Sequence, residues 1–311
     1  MFRFRLYVIL LSVVFIFFSC KKNENENENK ESFLKGKATI FVDETVTPII
    51  EDEVMVFESK YEAKFTLVSK SEAEVLNSLF DKKATIVLIS RNLTKKELHF
   101  FEQKKIVPKI TKFAVDGIAF VSNKSNKDTL IALKDVIGFL KGERGSKIKG
   151  LVFDNPNSST VRYMNNLVGI NCLSNKDVYS LKNNNDVLKF VAENDGMVGI
   201  VGVNWLSDPM PSMIPVLSKI NVLSVRGLNK EGYYAPSQNN FAEGTYPLMR
   251  DLYIVNCQGA TGLGMGIATF VISDIGQRIV LKSGLMPFKM PPRKLNIKQS
   301  DSNNSKEEKI N

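Results

Sequence analysis

Three adjacent hydroxyls, Ser158, Ser159 and Thr160, separate the apolar run GLVF (150–153) from the helical pattern VRYMNNLVGI, and Asp154 stands four residues before the first of them. Hydroxyls at such a junction can do two things. A serine or threonine ahead of the first helical turn accepts from its free N–H groups, and the same helix end carries a partial positive charge that holds anions. Other hydroxyls fall at comparable junctions: Thr45 after ATIFV (38–42), Ser71 ahead of VLNSLF, and Ser90 beside Arg91 at the end of ATIVLIS (84–90). Each is explained singly by capping, and Ser71 opens a capping box with Glu74. Their recurrence at strand-to-helix junctions points to uncharged donors around an oxyanion, with Arg91 able to add a bidentate fork.

Other chemistries lack the residues they need. His99 is the only histidine, and it lies between Leu98 and Phe100 in a helical pattern, so a serine or cysteine nucleophile would have one ill-placed base. One histidine and three scattered cysteines form no zinc spacing. Ser146-Lys147-Ile148-Lys149 matches Ser-x-x-Lys, but in a glycine-flanked basic loop without companion motifs. The glycines of GATGLGMGIATF (259–270) fail the third position of the dinucleotide fingerprint. The expectation is a binding protein, with no catalytic residues, cofactor or metal.

The elements that must position these hydroxyls alternate. ATIFV (38–42), FTLVS (65–69) and ATIVLIS (84–90) have the β-branched character of strands. Between them, Thr47-Pro48 is expected to cap IIEDEVMVFESKY, and capping boxes at Ser71 and Thr94 open two further helices. Strand, helix, strand, helix, strand predicts parallel pairing with crossover helices. KFAVDGIAFVSN (112–123) is strand-like but broken by Asp116-Gly117. A helix is expected over DTLIALKDVIGFL (128–140), then strand GLVF, the helix after Thr160, a helix over 185–194 ended by Gly196, and strand MVGIVGV (197–203). Residues 204–251, with five prolines, are expected to be mostly loop before strand LYIVN (252–256) and one apolar helical stretch, IATFVISDIGQRIVLKSG.

The chain has 311 residues and a net charge of +9, with Lys and Arg dispersed among Asp and Glu. Dispersed charge is a poor basis for nucleic-acid binding, which needs a concentrated basic face. The start, MFRFRLYVILLSVVFIFFSC, has a basic beginning and a short apolar run and is expected to be a signal peptide (1–19). Cys20 resembles the lipid-attachment cysteine of bacterial lipoproteins, which implies a lipid-anchored, extracytoplasmic protein of the cell envelope. The charged, low-complexity KKNENENENKES that follows suits a disordered tether over 20–35, and 291–311 is expected to be a polar tail.

Seven segments in order resemble the phosphate-type substrate-binding proteins of ABC transporters, over roughly residues 36–288: SEAEVLNSL, IVLISRNLTKKE, FAVDGIAFVSNKSN, SSTVRY, GMVGIVG, YPLMRDLYI and SDIGQRIVLKSGLMP. The resemblance implies an α/β fold like type II periplasmic binding proteins, with two α/β lobes joined by a double-crossover hinge and a ligand cleft between them. Lobe 1 would combine 36–117 with 245–290, and lobe 2 would be 118–244. It further implies a monomeric receptor that binds an oxyanion, foremost inorganic phosphate, through Thr45, Ser71, Ser90, Arg91, Ser158, Ser159 and Thr160, and passes it to a membrane permease. Asp154 is the main departure, because many family members carry arginine there; a carboxylate facing a dianion repels it. The alternative is the same fold with a neutral or zwitterionic ligand, or a surface sensor or adhesin. Cys172 would fall in lobe 2 and Cys257 in lobe 1, where a disulfide would oppose hinge motion, so two free thiols are expected.

Overall fold

The computed structural model describes residues 31–143, 148–170 and 176–292. The expected signal peptide, Cys20, most of the tether, Ser146, Cys172 and nearly all of the tail lie outside the described residues. In chain order, β1 (Lys35–Asp43) leads through a short 3-10 turn, Glu44–Val46, into α1 (Thr47–Lys60), followed by β2 (Glu62–Lys70), α2 (Glu72–Phe80), β3 (Ile86–Ile89) and α3 (Lys95–Gln103). Next come β4 (Lys109–Asn123), β5 (Leu130–Ala132), α4 (Leu133–Leu140), β6 (Gly150–Phe153), α5 (Ser159–Val168), β7 (Val178–Ser180), α6 (Asn184–Glu193) and β8 (Met197–Gly202). The chain continues with α7 (Asn204–Ser207), α8 (Ile214–Leu217), β9 (Ile220–Val222), β10 (Ser224–Arg226), α9 (Gln238–Ala242), β11 (Met249–Asn256), α10 (Leu263–Val271), α11 (Asp274–Lys282) and β12 (Met286–Pro287).

The main sheet runs β2-β1-β3-β11-β4-β8-β6-β7. β2, β1 and β3 are parallel, as strand–helix alternation predicts, and so are β8, β6 and β7; β11 and β4 join the two sets by antiparallel pairing. Alternate side chains of one strand serve opposite faces: Ile86 and Leu88 enter a core with Ile40, Ile49, Phe57 and Phe270, whereas Val87 and Ile89 enter another with Val75, Leu79 and Phe101. A separate core gathers Phe120, Phe153, Met164, Leu188 and Ile200. These cores make two α/β lobes that share one long strand.

That strand is β4, and it is continuous where a break at Asp116-Gly117 was expected. Its first half pairs with β11, and from Ile118 onward it pairs with β8. Gly117 is there because of close approach: a Cβ would lie 2.4 Å from the Phe241 ring. The Tyr246 hydroxyl donates to the Ile118 carbonyl at 2.6 Å, tying the returning chain to the crossing strand.

Three other expectations change. The helix over 128–140 is confined to Leu133–Leu140, because Leu130–Ala132 pairs in parallel with β10. The final apolar stretch is two helices at 63°, since the Ser273 hydroxyl caps a new start by accepting from the Gly276 N–H at 3.4 Å. Thr47 is the first residue of α1 rather than its cap, and its hydroxyl hydrogen-bonds Ser69 at 2.9 Å. The boxes at Ser71–Glu74 and Thr94–Glu97 form as expected.

Candidate functional site

The carboxyl ends of β1, β3, β6 and β8 converge beside the middle of the β4–β11 pair, the position at which open α/β sheets bind ligands. β1 ends at Asp43, whose carboxylate accepts from the Thr45 N–H at 3.3 Å and so turns the chain into the 3-10 segment. This turn buries Thr45 and delivers its hydroxyl across the cleft, where it donates to Asp154 at 3.0 Å. Asp154 follows β6, and its other oxygen accepts a short hydrogen bond from Ser158. Ser158 also accepts from the Val161 N–H at 3.2 Å, so it caps α5.

Arg250 supplies the positive charge. Register places it opposite Asp116, and its Nε and Nη2 donate to one Asp116 oxygen at 2.9 and 2.7 Å. Its remaining nitrogen, Nη1, donates to Ser159 at 2.9 Å and reaches Thr160 at 3.5 Å. Ser159 in turn donates to Thr45 at 3.4 Å. Burial opposes the guanidinium charge, but Asp116 and Asp43 more than offset it and hold its pKa above the ordinary value. Asn184, at the start of α6, closes the group: its amide donates to Glu44 at 2.9 Å and to Asp154 at 3.2 Å. Trp205 donates to the Thr45 carbonyl at 2.8 Å.

Thr45, Ser158, Ser159 and Thr160 are therefore brought together. Ser71, Ser90 and Arg91 stand at a neighbouring rim organised by Glu72, which is almost fully buried. Ser71 donates to Glu74 at 2.6 Å within its capping box, and Ser90 donates to Glu72 at 3.2 Å. Arg91 spends its fork on Glu97, at 2.8 and 2.7 Å, and its Nε lies 4.0 Å from Glu72. Arg162, from the other side of the cleft, pairs with Glu72 and reaches Ser90 at 3.3 Å. Sequence reasoning missed Arg250, Asp116, Asn184, Glu44, Glu72 and Arg162. Arg250 had a signal, since it sits in the quoted segment YPLMRDLYI, just ahead of the expected strand LYIVN.

The electrostatics of the cluster are acidic. Burial, followed by the charge of Glu72, pushes Asp43 up to about 7, and burial with Asp154 nearby pushes Glu44 up to about 8. Asp154 is raised by burial, against the hydrogen bonds from Ser158 and Thr45. These acids keep protons to higher pH than ordinary carboxyls, and in the protonated form each can donate. Among the described residues, no three His, Cys, Asp or Glu side chains are arranged to hold a metal ion. Among the described residues Cys257 has no disulfide partner, and burial pushes its thiol up to about 11.

The chain is 24% identical over 262 residues to the phosphate-binding protein PstS of Borreliella burgdorferi, covering 79% of this chain and 88% of that one. Among solved structures, it resembles a phosphate ABC transporter substrate-binding protein with bound phosphate from Clostridium perfringens, with TM-score 0.67 and 19% identity over 82% of this chain and all of that one. It also resembles an ABC-type phosphate transport receptor from Vibrio cholerae, with TM-score 0.61 and 18% identity over 81% of this chain and all of that one. At these identities the solved structures establish the fold. The sequence model of the PBP superfamily domain matches residues 27–274. With two lobes, a shared crossing strand and a cleft at the strand ends all in place, the chain belongs to the PBP superfamily.

Proposed function

We propose that this chain captures an oxyanion, foremost inorganic phosphate, in the cleft between its lobes and delivers it to the permease of an ABC transporter. The observation that carries this reading is the convergence of the Thr45, Ser159 and Thr160 hydroxyls with the Arg250 guanidinium at the N-terminus of α5. Hydroxyls and one guanidinium at a helix start are a donor set for an anion. The phosphate-binding relative from Borreliella burgdorferi and the transport function of the similar structures support it. Under this reading the lobes are 36–117 with 245–290 and 118–244, hinged at β4 and at the return before β11. Ser71, Ser90 and Arg91 form the lobe 1 rim over which the ligand enters. Opening and closing is the functional motion, and no bond is made or broken. The receptor works as a monomer, tethered outside the cytoplasm by lipid on Cys20 after removal of residues 1–19.

Isothermal titration of the chain with phosphate, sulfate and amino acids tests the ligand. Phosphate is expected to give saturable heat, and no heat at millimolar phosphate from about pH 6 to about pH 8 would sink the reading. A second reading, a zwitterionic solute, is favoured by the buried acids Asp43 and Asp154 and the half-buried Glu44, and heat with amino acids but not phosphate would select it. Metabolic labelling with palmitate that is lost in Cys20→Ser tests the anchor.

A further inference from the structure

Asp154 makes the contacts that a bound oxyanion would make. One of its oxygens accepts from Ser158, and the other accepts from Thr45 at 3.0 Å and from Asn184 at 3.2 Å. The carboxyl is fully buried. Its donors come from both sides of the cleft, so the chain's own carboxylate sits in the donor cage, at the position where the resemblance expects an arginine.

The charges around it do not favour a second anion. Asp43, Glu44 and Arg250 act on Asp154 directly. Beyond them, Glu72 faces Asp43 and is paired with Arg162, and Asp116 is paired with Arg250. Arg91 lies 4.0 Å from Glu72 but gives its fork to Glu97, so five carboxyls face three guanidinium groups, one of them shared with a sixth acid. The cluster also holds buried polar atoms without a partner among the described residues: Asp43 Oδ2 and both amide atoms of Asn204. Asn204 packs against the same group, because a Cβ built on Gly202 would fall 2.7 Å from its Oδ1 and 3.2 Å from both Arg250 Nη2 and the Thr45 carbonyl. Unpartnered buried polar atoms are costly, and a polar ligand seated beside them would supply their partners.

We propose that the Asp154 carboxylate holds the oxyanion's seat in the ligand-free protein and yields it on taking up a proton, so that each oxyanion bound brings one proton from solution. The inference rests on the oxyanion reading above. A protonated Asp154 carries no charge to repel the ligand, releases Thr45, Ser158 and Asn184 for it, and offers its own O–H as a further donor. Burial already raises the pKa of Asp154 and thereby makes the protonated form accessible.

The test is isothermal titration of wild type and Asp154→Asn with inorganic phosphate at about pH 6 and about pH 8, in paired buffers of different ionisation enthalpy, which counts protons exchanged. Wild type is expected to take up one more proton per phosphate than the variant. Its affinity should fall about tenfold per pH unit more steeply than the variant's once Asp154 is ionised in the free protein. Asparagine keeps the shape and cannot titrate, so the variant's remaining pH dependence belongs to phosphate and to the other acids. Equal proton counts and parallel pH profiles would overturn the proposal while leaving phosphate binding intact. Absence of phosphate heat from both proteins at about pH 6 would remove the oxyanion reading and this inference together.

Discussion

Replacing Arg250 by methionine isolates the charge pair on which the cleft is built. Asp116 is fully buried, and one of its oxygens takes both side-chain hydrogen bonds from Arg250, with the Gly117 and Val203 backbone N–H groups as its further support. Removing the guanidinium leaves that carboxylate buried and uncompensated, which costs about 3–5 kcal/mol. At about 2–4 °C per kcal/mol for a chain of this size, the melting temperature should fall by on the order of 6–20 °C. The double variant Asp116→Leu/Arg250→Met removes both charges and should recover most of the loss, because an apolar pair of similar volume replaces a buried ion pair at little cost. It should not recover ligand binding, since Ser159 and Thr160 still lack their cationic neighbour. Thermal unfolding followed by circular dichroism and by Trp205 fluorescence reads the stability, and titration with phosphate reads the binding. A single variant losing less than about 1 kcal/mol, or a double variant no more stable than the single, would refute the reasoning.

Ser158→Ala deletes both the α5 cap and one Asp154 donor; a stability loss of about 0.5–2 kcal/mol in urea denaturation is expected. Glu53 is fully buried with neither oxygen partnered among the described residues, and burial, then Asp52, pushes it up to about 9 from 4.5. The folded chain therefore holds a proton that the unfolded chain releases between these values, so this contribution is complete below 4.5 and is lost as pH rises toward 9. Melting temperatures from about pH 5 to about pH 9 should decline less steeply in Glu53→Met, with a residual slope of the same sign from Glu44 and Asp43. Arg162→Ala removes the ion pair that joins α5 to Glu72 across the cleft. The ligand-free protein should then open, with a larger radius of gyration by small-angle X-ray scattering, and an unchanged radius would show that this pair does not hold the cleft closed.

Features set by a few neighbouring residues were legible without coordinates. The capping boxes at Ser71 and Thr94 need only a partner three residues on, and both form. The parallel pairing of the first three strands followed from strand–helix alternation, whereas their order, with β1 between β2 and β3, did not. Where pairing partners are distant, the local pattern misled. Leu130–Ala132 is read as helix until β10, nearly a hundred positions later, pairs with it, and Asp116-Gly117 is read as a break although β11 continues the strand through it.

The sequence by itself determined the alternating α/β class, the hydroxyls at strand ends and the conflict posed by Asp154, because these depend on residue type and short spacing. Only the tertiary structure decided what surrounds that acid. Thr45 meets Asp154 from 109 positions away, Asn184 meets Glu44 from 140, and Arg250 meets Asp116 from 134. The physical reason is that strand ends converge only when the sheet is assembled, and the burial that raises Asp43, Glu44 and Asp154 belongs to that assembly rather than to any segment.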